Sequence, residues 1–223
     1  MPYLKRLAPV PEPIDCKILT AALELFVKKG YHTVSVHQIQ SLANVSIGSI
    51  YNHFGGKEGV AKALYLHLCI EFDELVDDGI ASSASPREQC RKIIELMFEY
   101  TESHADIMAY LFNIRHTEFL SDQLLLCEGA GFVKIDQIIE AGIAAGEFRT
   151  MEPLVASSCI FGGAIRMVQL RLDGLIKQPL PELLEQTVTG IFSGVCFIED
   201  STNVMLGDSL AAKDASVIAS IAV

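Results

Sequence analysis

Apolar residues recur along this chain with the three-to-four spacing of amphipathic helices, and no segment sustains the alternation of a strand. From 14 to 29, Ile14, Ile18, Ala22 and Leu25 form one stripe that Ala21 and Phe26 widen. Asp15 lies in its first turn and Lys28 and Lys29 in its last, as the helix dipole favours, and Gly30 follows as a stop. Ser35 with Gln38 three residues on spells a capping box, with Val34 and Ile39 placed as a hydrophobic staple. This second helix is expected to end at about Ala43, where Asn44 suits a left-handed turn. Ser46 caps a third short helix reaching about Phe54. Gly55 and Gly56 break the chain before a long helix over 57–78 that stops at Gly79.

Residues 79–86 (GIASSASP) read as a linker by composition. Beyond it every periodic segment reads as helix, near 86–103, 105–115, 119–145, 152–175 and 180–198, with Pro153 and Pro181 close to helix starts. The predicted fold class is therefore all-α. It divides into a flexible arm over 1–12, a small helical head over 13–56, a helical body over 57–198 and a flexible tail over 199–223. The longest apolar-rich run, Leu154 to Ile165, is only a dozen residues. A bilayer needs about 20, so no membrane helix is expected. No continuous apolar stretch follows Lys5 and Arg6, so no secretory leader is expected either.

Charge changes the picture once it is placed. The 223 residues carry a formal charge of −11, which argues against nucleic acid if taken as a total. Residues 1–67 hold seven Lys/Arg against four Asp/Glu, a balance of +3, and the remainder carries −14. A mildly basic head thus precedes an acidic body, and phosphate binding needs only local positive potential.

Chemistry other than binding finds little support. Cys16, Cys69, Cys90, Cys127, Cys159 and Cys196 are scattered without a CxxC pair, which suits buried thiols in a reducing compartment. His32 and His37 are five apart, the wrong spacing for one helix face, so no metal site is expected there. Gly56-Lys57 lacks the upstream glycine of a phosphate loop and runs into Glu58; neither GxSxG nor HExxH occurs. An enzyme is not expected, nor a cofactor.

The two short helices joined by a tight turn form a helix-turn-helix. The second offers free N–H groups and a positive dipole end beside small side chains, which fits a helix entering the major groove. The stretch FVKKGYHTVSVHQIQSLANVSIGSIYNHFGGKEGVAKALY resembles the TetR family of bacterial transcription regulators. The diagnostic pieces are Phe26 with Gly30-Tyr31, Val34 to Val36, Val45-Ser46, and Ile50-Tyr51-Asn52-His53-Phe54 followed by Lys57-Glu58.

The resemblance implies a homodimer whose three N-terminal helices bind a double-stranded DNA operator and whose helical body binds a small effector and dimerises. It implies phosphate contacts by Thr33, Tyr51, His53 and Lys57. It places Gln38, Ser46, Ile47, Gly48, Ser49 and Asn52 toward the groove, with Ser35 in the same DNA-binding set. Departures from the family pattern are Asn44 for a turn glycine, Gln40 for a small residue, Ile47 for a basic or polar one, and Gly56 for a capping serine. Ile47 suits a thymine methyl.

In the body, Met97, Phe98, Phe112, His116, Phe132 and Arg166 are the expected effector-pocket residues, pointing to an apolar or aromatic effector. The small-residue stretch with Gly162 and Gly163, together with Leu183, Thr187 and Ile191, is the expected dimer interface, built as a four-helix bundle. The expected function is a cytoplasmic repressor, nucleoid-associated on DNA, that binds a palindromic operator and is released by a small molecule. The alternative is a helical interaction module that has lost DNA binding; salt-dependent DNA affinity separates the two.

Overall fold

The computed structural model describes residues 3–4, 10–114 and 130–197, and the elements among them are helices. In order they are α1 (Ile14–Lys29), α2 (Val36–Ala43), α3 (Ile47–Phe54), α4 (Lys57–Ala81), α5 (Pro86–Ser103), α6 (Ala105–Phe112), α7 (Ala130–Ala144), α8 (Pro153–Leu172) and α9 (Leu184–Val195). A short 3-10 turn, Leu180–Leu183, precedes α9. His116, Cys127 and the stretch expected to begin a helix at 119 lie outside the described residues, as does the tail from 198 onward.

The head helices form for the local reasons their sequence states. In α1, Asp15 and the Lys28-Lys29 pair sit at the favoured ends, and Gly30 ends the helix at a positive φ of 78°. Both halves of the capping box at α2 are present: the Gln38 N–H donates to Ser35 Oγ at 3.3 Å, and the Ser35 N–H donates to Gln38 Oε1 at 2.8 Å. Asn44 takes the left-handed conformation at φ 52° and ends α2.

Head and body share one continuous core. Ile18, Ala22 and Phe26 of α1 are buried with Ala61, Leu64, Leu68 of α4 and Tyr110 of α6. Tyr110 donates its hydroxyl to the Ala61 carbonyl at 3.1 Å, and the Phe26 and Tyr110 rings lie 6.4 Å apart. The arm expected to be loose over 1–12 has Leu4 buried; its N–H donates at 2.9 Å to the buried Glu71 carboxylate on α4. The Tyr3 ring meets the His67 ring edge-on at 5.3 Å.

Gly79 was the expected stop of the long helix, yet α4 continues to Ala81 and the linker shrinks to four residues, 82–85. A Cβ at Gly79 would lie 2.3 Å from Ile93 Cγ1, so this glycine serves the close approach of α4 to α5. At the start of α5, Ser85 Oγ and the Arg87 N–H both donate to the Glu147 carboxylate, at 2.7 and 2.9 Å. A negative charge at a helix N-terminus offsets its unpaired donors and its dipole.

The body helices end earlier than the sequence pattern suggests. α6 stops at Phe112 and α8 at Leu172, where Gly174 turns the chain at φ 71°. α8 has 20 residues and is long and apolar enough to cross a membrane by length and composition. One face of it, with Ala156, Ile160, Phe161, Ala164 and Val168, is buried in the body. Cys16, Cys90 and Cys196 are buried thiols as expected, whereas Cys159 on α8 is exposed. Burial pushes the Cys90 thiol up to about 12.

Candidate nucleic-acid interface

Three buried residues set the geometry of the helix-turn-helix. Ile39 of α2, Ala43 at its end and Ile50 of α3 turn inward beneath Val34 and the face of α1. Ile50 is the one fully buried residue of α3, so the other positions of this short helix are exposed or half-buried. Ile47 is 38% exposed and Tyr51 54% exposed, and Gly48, Asn52 and His53 are exposed as well.

The N-terminus of α3 is closed by serines. Ser46 Oγ accepts the Ser49 N–H at 3.1 Å and lies 2.8 Å from Ser49 Oγ. Ser46 is exposed and Ser49 half-buried. Gly48 leaves open room: a Cβ there would meet only Ser46 Oγ, at 3.7 Å. Gln40, which departs from the family pattern, donates its amide to the Val45 carbonyl at 2.8 Å. The larger residue is accommodated by bonding the turn that orients α3.

The remaining expected contacts are distributed around this helix. Thr33 is exposed, and its hydroxyl donates to the carbonyls of Lys29 and Gly30, which fixes the end of α1. Ser35 is exposed and Gln38 half-buried, with the Gln38 carbonyl engaged in the capping box. Lys57 opens α4 and is half-buried. It donates to the Tyr31 carbonyl at 3.0 Å, and its ammonium lies 4.2 Å from the centroid of the Tyr31 ring. Tyr31 was quoted in the family resemblance without a role; the aromatic residue directly after the α1 stop was the available signal. Burial, with Glu58 nearby, raises the Tyr31 hydroxyl above its ordinary value.

A second glycine escaped the sequence reading. Gly59, in the first turn of α4, has its α-carbon so close to α3 that a Cβ would lie 1.7 Å from the Phe54 carbonyl oxygen. The α3–α4 corner, with Gly55 and Gly56 at φ 76° and 129°, is tight enough to demand this.

The expected effector residues fall into separate places. Phe112 and Phe132, both half-buried, meet at Phe72 of α4, with ring centroids 5.8 Å and 5.4 Å from it. Met97 and Phe98 are fully enclosed in the α5 core. Arg166 is exposed on α8 and donates to Gln169, whose amide donates to the Phe112 carbonyl at 3.0 Å. No group of three or more His, Cys, Asp or Glu able to hold a metal occurs among the described residues.

The expected interface residues are divided too. Gly162 is exposed, with no atom within 4 Å of a Cβ built on it. A Cβ built on Gly163 would lie 3.4 Å from Ile191 Cγ1 of α9 within the chain. Leu183 and Thr187 are half-buried, and the Thr187 hydroxyl donates to the Leu183 carbonyl at 2.9 Å. Leu154 near the start of α8 is 69% exposed, and Phe197 just past α9 is 63% exposed. These two large apolar residues were not among the interface residues read from sequence.

A capped recognition helix on a three-helix head, continuous with a helical body, defines a helix-turn-helix DNA-binding regulator. Residues 18–64 match the family described as "Bacterial regulatory proteins, tetR family". The head is thus a TetR-family DNA-binding domain, and the whole has the fold of TetR-family regulators. The fatty acid metabolism regulator protein of Bacillus subtilis is 27% identical over 186 residues, covering 82% of this chain and 96% of that one. The HTH-type transcriptional repressor NicS of Pseudomonas putida is 27% identical over 154 residues, 65% of this chain and 73% of its own. Among solved structures, FadR of Bacillus subtilis in complex with stearoyl-CoA aligns with a TM-score of 0.66 at 24% identity, over 80% of this chain and 97% of that one. A TetR-family transcription regulator of Marinobacter aquaeolei aligns at 0.73 with 16% identity, over 83% and 96%.

Proposed function

We propose that this chain is a ligand-responsive transcriptional repressor that binds a palindromic operator as a homodimer. The single observation that carries the proposal is α3. Its capped N-terminus and small exposed residues leave backbone and side chains free to approach a major groove, with Tyr51 exposed beside them. Residues 13–56 serve as the head that reads DNA. Residues 57–198 take the effector and pair with a second copy, and α4 links the two parts.

The groove-facing set is Gln38, Ser46, Ile47, Gly48, Ser49 and Asn52, with Ser35 beside them. Thr33, Tyr51, His53 and Lys57 hold phosphates. Pairing through the exposed side of α8 and α9 spaces two copies of α3 to meet successive major grooves, roughly 34–36 Å apart or somewhat more. The effector is a small molecule with an apolar or aromatic body. The ring cluster of Phe72, Phe112 and Phe132 supports that chemistry, and the stearoyl-CoA complex of Bacillus subtilis FadR supports an acyl chain as one form of it. An effector that prefers a different head spacing lowers operator affinity by its differential binding energy. Such a protein works in the cytoplasm, on the nucleoid when bound.

The test is a genomic binding selection with purified protein at two salt concentrations. One palindromic site whose affinity falls steeply with salt is the expected result. Recovery of background only, also after denaturation and refolding to strip a releasing ligand, overturns the proposal in favour of an interaction module without DNA binding.

A further inference from the structure

Between Lys29 and Lys57 the chain has no lysine, arginine, aspartate or glutamate, so α2, α3 and the turn joining them carry only neutral side chains and histidine. In the major groove, guanine is matched by arginine or lysine bonded to O6 and N7, and the N4 amino group of cytosine by aspartate or glutamate. Neither kind is present on α2 or α3. Two neutral matches remain. An asparagine or glutamine amide fits the N6 and N7 edge of adenine, and an apolar group fits the thymine methyl.

The turn of the helix decides which side chains are free to make those matches. At about 100° per residue, Gly48 and Asn52 stand opposite the buried Ile50, one turn apart. A Cβ on Gly48 would meet only Ser46 Oγ, so no side chain stands ahead of Asn52 on this outward ridge. Of the amides on α2 and α3, Gln38 gives its carbonyl to the capping box and Gln40 gives its N–H to Val45. Asn52 is exposed and has no hydrogen-bond partner among the described residues, so both halves of its amide are open. The hydroxyls are engaged locally: Thr33 at the end of α1, Ser35 in the capping box, Ser46 and Ser49 with each other. Ile47 is exposed in the first turn of α3, the end of a recognition helix that meets base edges. His53 lies in the last turn beside Phe54, with ring centroids 6.0 Å apart.

We propose that each half-site of the operator is read through A·T pairs. Asn52 bonds one adenine, donating its amide N–H to N7 and accepting from the N6 amino group at its carbonyl. Ile47 packs on the 5-methyl group of a thymine. The two side chains are five residues, about 7.5 Å, apart along the helix. At about 3.4 Å per step, the two pairs fall within about three base pairs of each other. This base preference rests on the DNA-binding reading of α3 and goes beyond it by naming the bases.

Single atoms of the DNA provide the test. In duplexes of the selected operator, each thymine of a half-site is replaced in turn by deoxyuridine, which removes only the methyl. Each adenine is replaced by 7-deazaadenine, which removes the N7 acceptor. Fluorescence anisotropy then compares the parent protein with Ile47→Ala and Asn52→Ala. At one thymine, the parent should lose about three- to fourfold in affinity with the methyl. At one adenine nearby, it should lose roughly five- to tenfold with N7. Ile47→Ala should be indifferent to the first change and Asn52→Ala to the second, while each still senses the other. Half-sites with G·C pairs throughout the stretch under α3, a parent protein indifferent to every replacement, or variants as sensitive as the parent overturn the proposal. A selection that recovers background only removes the DNA-binding reading and the base preference together. A salt-sensitive palindrome indifferent to these replacements removes the base preference alone.

Discussion

The Lys57 ammonium stands over the Tyr31 ring and donates to the Tyr31 carbonyl, so the first residue of α4 is fastened to the turn that follows α1. Two segments that flank α2 and α3 are thereby joined across 26 residues of sequence. The contact fixes where the lysine charge sits relative to the recognition helix. A cation over an aromatic face at a partly exposed site contributes about 0.5–1 kcal/mol. Tyr31→Ala is expected to weaken DNA binding by roughly two- to fivefold, in the same direction as Lys57→Ala. The double substitution should cost less than the two single effects combined. Fluorescence anisotropy with a selected operator measures all three variants, and full additivity shows that the two residues do not act together.

Tyr51 offers a cleaner separation of fold from binding. Its ring is more than half exposed, and the core of the head turns on Ile50, Ile39 and Val34 instead. Tyr51→Ala is expected to leave the melting temperature nearly unchanged. A lost phosphate contact of about 1–1.5 kcal/mol lowers operator affinity roughly tenfold. Operator affinity equal to that of the parent protein would remove Tyr51 from the DNA-binding set.

Two glycines eleven residues apart, one in α3 and one in α4, should behave oppositely. Gly59→Ala drives a methyl into the Phe54 carbonyl oxygen, and relief requires shifting α3 against α4. Overpacking of this kind costs about 1–3 kcal/mol or more, and it should appear as a lower melting temperature together with weaker DNA binding. Gly48→Ala meets open space and removes a flexible residue from a helix, which favours the fold by about 0.5–1 kcal/mol. Its methyl projects where α3 faces DNA, so binding should fall while stability holds or rises. Calorimetry beside a binding titration reads both quantities, and a Gly48→Ala protein that melts earlier contradicts this account.

The contrast between these positions shows what was legible in the sequence. The capping box of Ser35 and Gln38, the left-handed Asn44 and the Ser46 cap are decided within four residues, so the head could be read closely from its own letters. Gly79 misled because a stop glycine and a close-packing glycine look alike until Ile93 is brought against it. Gly59, the Tyr31–Lys57 contact and the seat of Leu4 on Glu71 depend on segments remote in sequence, and no local pattern announces them. In the body, Phe and Met residues line a cavity or fill a core with the same composition. Periodicity alone could not separate Met97 and Phe98 from Phe112 and Phe132.

Acid should act on the body through Glu102. The Arg171 guanidinium, bonded to both carboxylate oxygens at 2.9 and 2.7 Å, holds Glu102 below the usual carboxylate range, and the Leu180 N–H adds to the effect. A carboxylate lowered in the folded state adds stability that is complete above its unfolded value of about 4.3 and is lost as pH falls toward the folded one. Glu102→Gln should therefore lower the melting temperature at pH 7, and the difference from the parent should narrow by pH 3. A gap of equal size at both pH values would show that the loss comes from shape rather than charge.

The exposed side of α8 and α9 makes the dimer proposal testable with a single thiol. Leu154, Val155 and Phe197 leave large apolar surface in water, and Gly162 and Gly194 present helix backbone with nothing packed on it. Small residues beside large apolar ones let a second helix pair approach closely, which is how a four-helix interface forms. Cys159 lies on that face, one turn before Gly162 and Gly163, and is exposed in the single chain. Dimerisation should shield it from iodoacetamide, while Cys90, buried and held as a thiol, stays unreactive throughout. Gly162→Arg adds a long charged side chain where the monomer has open space, so the fold survives and the pairing does not. The expected outcome is a monomer by sedimentation, with Cys159 alkylated faster than in the parent protein and operator affinity reduced, because one head binds only one half-site. A Gly162→Arg protein that still sediments as a dimer with Cys159 shielded places the interface on another face.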